Sequence, residues 1–131
     1  PRAPTCRRPS ETSDIVSKHE AMSDAMLERV AEQFRALGEP SRLRLMNLLF
    51  DGEHTVGELV EASGLSLANV SKHLGLLHQV GWVTRKKDGV SVVYALADER
   101  TFGLCELMCN RVRELAAAVA ELAQPAKKRR R

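Results

Sequence analysis

Between Thr55 and Leu96 the chain alternates short apolar-periodic runs with single-glycine stops. It ends that stretch with an Asp-Gly pair set between two β-prone runs. Few small folds accept this punctuation. Thr55 followed three residues later by Glu58 reads as a capping box, in which each side chain satisfies a backbone N–H that the helix leaves open. Val56, Leu59 and Val60 supply the apolar face of that short helix, and Ser63-Gly64 turns the chain. Ser66 is a second N-cap, followed by Val70, Leu74 and Leu77 on one stripe, and Gly81 closes the helix. Trp82-Val83-Thr84 and Ser91-Val92-Val93-Tyr94-Ala95-Leu96 read as strands. Between them lies Arg85-Lys86-Lys87-Asp88-Gly89, in which Asp-Gly is a hairpin-turn signal.

The flanking segments are helical. Met26, Leu27, Val30, Phe34 and Leu37 recur at helical spacing until Gly38. Pro40 opens a second helix carrying Leu43, Leu45, Met46, Leu48 and Leu49, which ends near Asp51-Gly52. After the hairpin, Asp98 caps a long helix whose stripe is Leu104, Leu107, Met108, Val112, Leu115, Val119 and Leu122. The expected fold is mainly α with a small β-hairpin wing. Residues 1–20 are polar and contain Pro1, Pro4 and Pro9, so they read as a flexible tail. Residues 21–124 read as one domain, and residues 125–131 as a basic C-terminal tail. A chain of 131 residues suits one such domain.

Charge is informative only when it is located. The net charge of +3 rests on Lys127–Arg131, and without those five residues the chain is slightly acidic. From Ser63 to Ala97, however, the charged residues are Lys72, Arg85, Lys86, Lys87 and a single acid, Asp88. That local surplus sits on the second short helix and the hairpin, where it suits phosphates. Two short helices and a basic hairpin make a winged helix-turn-helix pattern, in which a buried stripe holds the second helix while its other face meets base edges. Val70, Leu74 and Leu77 are the holding stripe. Asn69, Ser71, Lys72 and His73 supply donors and acceptors, and Ala68 is small enough to meet a thymine methyl. Arg85, Lys86 and Lys87 add salt-dependent affinity for the duplex backbone.

These residues resemble the ArsR/SmtB family of transcriptional repressors. Leu37-Gly38-Glu39-Pro40-Ser41-Arg42-Leu43 through Leu49 is similar to the family's helical signature. Gly64-Leu65-Ser66 through Val70-Ser71-Lys72-His73-Leu74 is similar to its recognition helix, and Gly81 through Leu96 to its wing. Leu67 departs from the polar residue common at its position. The resemblance implies a homodimer paired through its first and last helices, with two recognition helices reading a pseudo-palindromic operator in double-stranded DNA. It also implies a bacterial cytoplasmic protein. No apolar segment follows Pro1-Arg2-Ala3-Pro4-Thr5-Cys6, so no secretory signal is expected, and without a run of about 18 or more apolar residues no membrane span is expected.

Three cysteines remain to be explained. Without a signal for export, a disulfide scaffold is not expected. Cys105 and Cys109 are four apart on the last helix, which sets both thiols on one face with Cβ atoms ~5–6 Å apart. Such a pair suits one soft ion better than a disulfide. The bland alternative is two small hydrophobes beside Leu104 and Met108. Cys6 is the remaining thiol; beside Arg7 and Arg8 its thiolate is favoured. Family members that recruit an N-terminal cysteine across the dimer imply a third ligand there. The family's cysteine site before the recognition helix is missing, since Thr55 and Gly57 stand in its place. Its zinc site on the last helix is missing as well, since Arg100, Arg111 and Glu114 accompany Asp98. His19, His54 and His78 show no metal pattern.

The reading is therefore a repressor released from its operator when a thiophilic ion binds cysteine thiolates. As(III) or Sb(III) comes first, since three thiolates suit them, and cadmium, lead or another thiophilic ion follows. A thiol-redox or reactive-sulfur sensor is the alternative regulator, and a constitutive DNA-binding protein a third. A small thiol enzyme such as an arsenate reductase needs a thiolate in an anion-cradling loop, whereas both cysteines fall inside a helix. No enzyme motif supports catalysis.

Overall fold

The computed structural model describes residues 21–123. The expected tails at 1–20 and 125–131, and Cys6 with them, lie outside the described residues. The elements are α1 (Asp24–Leu37), α2 (Pro40–Leu49), β1 (His54–Thr55), α3 (Val56–Ser63), α4 (Leu67–Val80), β2 (Val83–Asp88), β3 (Ser91–Leu96) and α5 (Arg100–Ala123). Two compact units divide the chain, one ending at Arg35 and the other beginning at Ala36. The first unit is most of α1, whose Met26, Leu27 and Phe34 are about half exposed.

The second unit holds the core. Leu45, Met46 and Leu49 of α2, Leu59 of α3, and Val70, Leu74 and Leu77 of α4 are at most 2% exposed, and Val83 and Tyr94 of the hairpin close over them. Each such aliphatic side chain removed from water contributes ~1.5–3 kcal/mol before the loss of chain entropy is set against it. The stripe expected on α4 is thus the stripe that seats it.

Caps set the helix borders. Thr55 N–H donates to Glu58 Oε1 at 2.9 Å and Glu58 N–H to Thr55 Oγ1 at 3.1 Å, so the capping box is complete. Ser66 Oγ accepts from Asn69 N–H at 3.1 Å. Gly64 ends α3 at φ 76°, a left-handed conformation that costs glycine least. Asp98 accepts the backbone N–H of Arg100 and pairs with its guanidinium at 2.7 Å, which holds the carboxyl down to about 2.

The sheet is antiparallel with order β1-β3-β2. Two details differ from the sequence expectation. β2 runs on to Asp88, which pairs with Ser91, so the turn is Gly89-Val90 with Gly89 at φ 66°. Arg85, Lys86 and Lys87 therefore stand on a strand, opposite Tyr94, Val93 and Val92, rather than in a loop. The second detail is β1, a two-residue strand that pairs His54 with Tyr94 and Thr55 with Val93. At the base of the wing, Ala97 N–H donates to Trp82 C=O at 3.1 Å.

Candidate nucleic-acid interface and thiol site

The fold presents one outward row on α4. With Val70, Leu74 and Leu77 buried, Ala68, Asn69, Ser71 and Lys72 are exposed. The αL glycine and the Ser66 cap fix where this helix starts, so these side chains stand on its first two turns. Leu67 is also exposed, at 60%.

His73 behaves differently from its neighbours. Its side chain is 12% exposed and turned toward α2. Arg42 Nη1 donates to His73 Nδ1 at 3.3 Å, which places the ring proton on Nε2, 4.0 Å from Glu39 Oε1. The Arg42 Nε–H donates to the Ala36 carbonyl, and Arg42 N–H to Glu39 Oε1 at 2.9 Å. The backbone N–H of Arg42 holds the Glu39 carboxyl below its ordinary range. Glu39, Arg42 and His73 thus bolt the start of α2 to the middle of α4. Nothing in the local periodicity announces that Glu39 caps α2 or that Arg42 reaches a residue 31 positions away.

The wing sorts its three cations. Successive side chains on a strand alternate, so Arg85 and Lys87 leave one face of β2 and Lys86 the other. Lys86 Nζ lies 3.8 Å from Glu53 Oε1 in an exposed pair. Such a pair contributes little stability, but it occupies the lysine.

Thr101 and the two thiols, Cys105 and Cys109, lie along one row of α5. Exposure grows along it: Thr101 is 4% exposed, Cys105 half-buried and Cys109 exposed. Burial, and then the neighbouring Cys109, push the Cys105 thiol above its ordinary value. Neither sulfur is sealed in the core, so the two-hydrophobe alternative does not describe Cys109. Among the described residues no group of three His, Cys, Asp or Glu side chains is arranged to hold a metal. The donors these two positions offer are soft sulfurs, which suit a thiophilic ion. Beside this row, Leu107, Met108, Val112, Leu115 and Val119 are each about half exposed or more.

The model of the bacterial regulatory protein arsR family matches residues 39–85, from the Glu39 cap through the first wing cation. A protein of Streptomyces lividans described as a probable mercury resistance operon repressor is 38% identical over 89 residues, covering 68% of this chain and 71% of its own. The chain belongs to the arsR family. A Synechocystis protein described as a transcriptional repressor SmtB homolog is 36% identical, with 72% of each chain covered. Among solved structures, the homodimeric winged helix-turn-helix DNA-binding domain of Mb0332 from Mycobacterium bovis aligns at a TM-score of 0.64 and 31% identity. That alignment covers 72% of this chain and 93% of the other. This arsR-family chain is accordingly a winged helix-turn-helix regulator and not an enzyme, which removes the arsenate-reductase alternative. None of its described helices is long and apolar enough to cross a membrane.

Proposed function

We propose that this arsR-family regulator binds operator DNA as a homodimer and is released when a thiophilic ion engages Cys105 and Cys109. The observation that carries the sensing half is the accessible sulfur pair one turn apart on α5, the helix with the unpartnered apolar stripe. An apolar stripe of that length on a helix calls for a partner, and a second copy offers the same stripe. The homodimeric Mb0332 domain supports that choice. The DNA face is Ala68, Asn69, Ser71 and Lys72 on α4 with Arg85, Lys86 and Lys87 on the wing. His73 acts from behind, through Arg42 and Glu39, by orienting α4.

The coupling is mechanical. Phe102, at the start of α5, meets Phe50, at the end of α2, edge to face with ring centroids 5.2 Å apart. Arg42 then ties α2 to α4 through His73. A shift of α5 is thereby felt by the reading helix, and in a dimer it also changes the separation of two reading helices, which must match the half-site spacing. By linkage, DNA lowers ion affinity by the factor by which the ion lowers DNA affinity.

The ion follows from how many thiolates are engaged. Cys105 and Cys109 alone supply two, which suits a mercuric ion. The mercury-resistance relative favours that reading. Arsenite or antimonite wants three, and the third is Cys6. Titrating mercuric ion, arsenite and antimonite into a protein–operator complex followed by fluorescence anisotropy tests this; intact complexes at saturating concentrations of all three remove the ion reading. The thiol-redox alternative is separated by mass spectrometry after peroxide or persulfide treatment.

Two expected results follow from the geometry. Because mercuric chloride displaces a proton from each thiol it binds and burial raises the Cys105 value, mercuric affinity in chloride buffer rises with pH between 6 and 8, by about tenfold per unit for each proton displaced. Arsenite, as As(OH)3, gives up hydroxide as water and shows no such slope. Isothermal titration with mercuric chloride at several pH values reads this slope, and a flat mercuric profile means that neutral thiols are not the ligands. The second result concerns the wing. Changing Arg85 and Lys87 together to Gln lowers the slope of log affinity against log salt by about 0.9 for each phosphate that is no longer neutralised. Lys86→Gln alone moves it less, because Glu53 already holds that amine. Equal effects of Lys86 and Arg85 would contradict the sorting by strand face.

A further inference from the structure

Gly75 stands in the middle of α4, where glycine is a poor helix former. Glycines inside helices are usually there because a side chain would collide with something. Here a Cβ built on Gly75 meets no atom within 4 Å. Packing within this chain therefore does not explain the residue. What lies over it is an open concavity of about 480 Å³, lined by Arg42 of α2 and by Ser71, Lys72, His73, Gly75, Leu76 and Gln79 of α4. Two of these side chains are permanent cations, and Ser71 and Gln79 add a hydroxyl and an amide that donate hydrogen bonds.

We propose that this notch seats one phosphodiester of the DNA backbone, that Arg42 and Lys72 neutralise it, and that Gly75 is glycine so the backbone can approach α4 closely. This rests on the DNA-binding reading above and deepens it: Ser71 and Lys72 already belong to the proposed DNA face, while Arg42 of α2 and Gly75 are new to it. The chemistry favours a phosphodiester for three reasons. The lining has both cations and neutral donors, which match an oxyanion. The notch is on the side of α4 and holds residues from its second turn to its last, so an occupant follows the helix rather than entering its end. Arg42 is already held by the Ala36 carbonyl and His73, so its guanidinium is positioned before the anion arrives. A positioned fork loses less entropy on binding than a mobile lysine.

The contact carries no sequence information, because every nucleotide has the same phosphate. It fixes the angle at which α4 lies in the groove. His73 then has a second consequence: through Arg42 it links the seating of the phosphate to the orientation of α4.

The test uses full-length protein and a random-sequence 30-base-pair duplex, so that no operator is needed. Gly75→Ala is expected to raise the melting temperature by about 4 °C, since it removes a mid-helix glycine without a clash. It is nevertheless expected to weaken duplex binding several-fold. Gly75→Asp, which sets a carboxylate in the notch, is expected to lose at least about tenfold more affinity than Gly75→Asn. Lys72→Gln is expected to reduce the salt slope by about 0.9 per protomer. Arg42→Gln also breaks the bonds to Ala36 and His73, so the Gly75 series carries the decision. If Gly75→Asp and Gly75→Asn bind the duplex as the parent does, the notch does not seat a phosphate. If inorganic phosphate protects the protein thermally while the Gly75 variants keep parental duplex affinity, the anion is a free one and the proposal falls. If the parent itself shows no duplex affinity at low salt, the DNA-binding reading fails first and takes this inference with it.

Discussion

Replacing Cys105 and Cys109 together by serine is expected to leave duplex affinity within about twofold of the parent and to raise the ion concentration needed for release by about 100-fold. The first half follows from position. Cys109 is exposed and Cys105 half-buried, and neither belongs to the core cluster of Leu45, Met46, Leu49, Leu59, Leu74 and Leu77. Changes at such sites cost little, typically within ~0.5 kcal/mol for surface positions. Serine keeps the volume and removes the soft donor. The second half follows from the donor set, since Cys105 and Cys109 are the soft pair and among the described residues no group of three His, Cys, Asp or Glu side chains is arranged to bind a metal. Anisotropy titrations of parent and variant complexes read both halves at once. Release of the double variant at the parent's ion concentration would end the role given to α5. The single change Cys6→Ser then divides the ions: it is expected to abolish the response to arsenite and antimonite while leaving that to mercuric ion, which two thiolates satisfy.

What the sequence discloses, and what it hides, divides along the range of the interactions. Thr55 with Glu58, Ser66, Gly64 and Gly81 act within a turn of where they stand, and each is legible as a cap or a stop because its chemistry is local. The α4 stripe is legible for the same reason, since Val70, Leu74 and Leu77 share a face by helix geometry alone. β1 is not legible. Two residues make no periodicity, and His54 becomes a strand only because Tyr94 pairs with it 40 positions later. The wing turn moves from Asp88-Gly89 to Gly89-Val90 because pairing Asp88 with Ser91 extends the ladder by one more rung. With the strand running on through Asp88, Arg85 and Lys87 share one face of β2 and Lys86 takes the other. His73 shows the limit most plainly. Its position near the outer row of α4 suggests a DNA contact, yet Arg42 and Glu39 draw its ring back against α2. Arg42 itself is visible only as part of the family-like run through Leu43, and its place in the notch needs three dimensions. Cys105 and Cys109 share a face by spacing alone, while the gradient of exposure along their row is a property of how α5 leaves the core.

Leu74→Ala is expected to cost ~2–5 kcal/mol of stability and, in the protein that remains folded, to weaken DNA binding more than any single change on the outward face. Leu74 is fully buried on the proposed reading helix, one position after His73 and two after Lys72. With Val70 and Leu77 it forms the α4 stripe in the core cluster shared with Leu45, Met46 and Leu49 of α2 and Leu59 of α3. Shortening it leaves a cavity under the reading helix, and a helix over a cavity shifts or rotates to fill it. Rotation moves Asn69, Ser71 and Lys72 together, so the loss is shared by every base contact at once. A change such as Asn69→Ala removes one contact, and a good bidentate base contact is worth ~1–3 kcal/mol of discrimination. Urea unfolding separates the two effects: the midpoint reports stability, and duplex affinity measured well below the transition reports orientation. The comparison with Leu45→Ala is decisive, since Leu45 of α2 is equally buried but not on the reading helix. Both variants are expected to lose similar stability, but Leu74→Ala to lose far more affinity. Equal losses of affinity would mean that the core sets only whether the domain is folded and not how α4 is aimed.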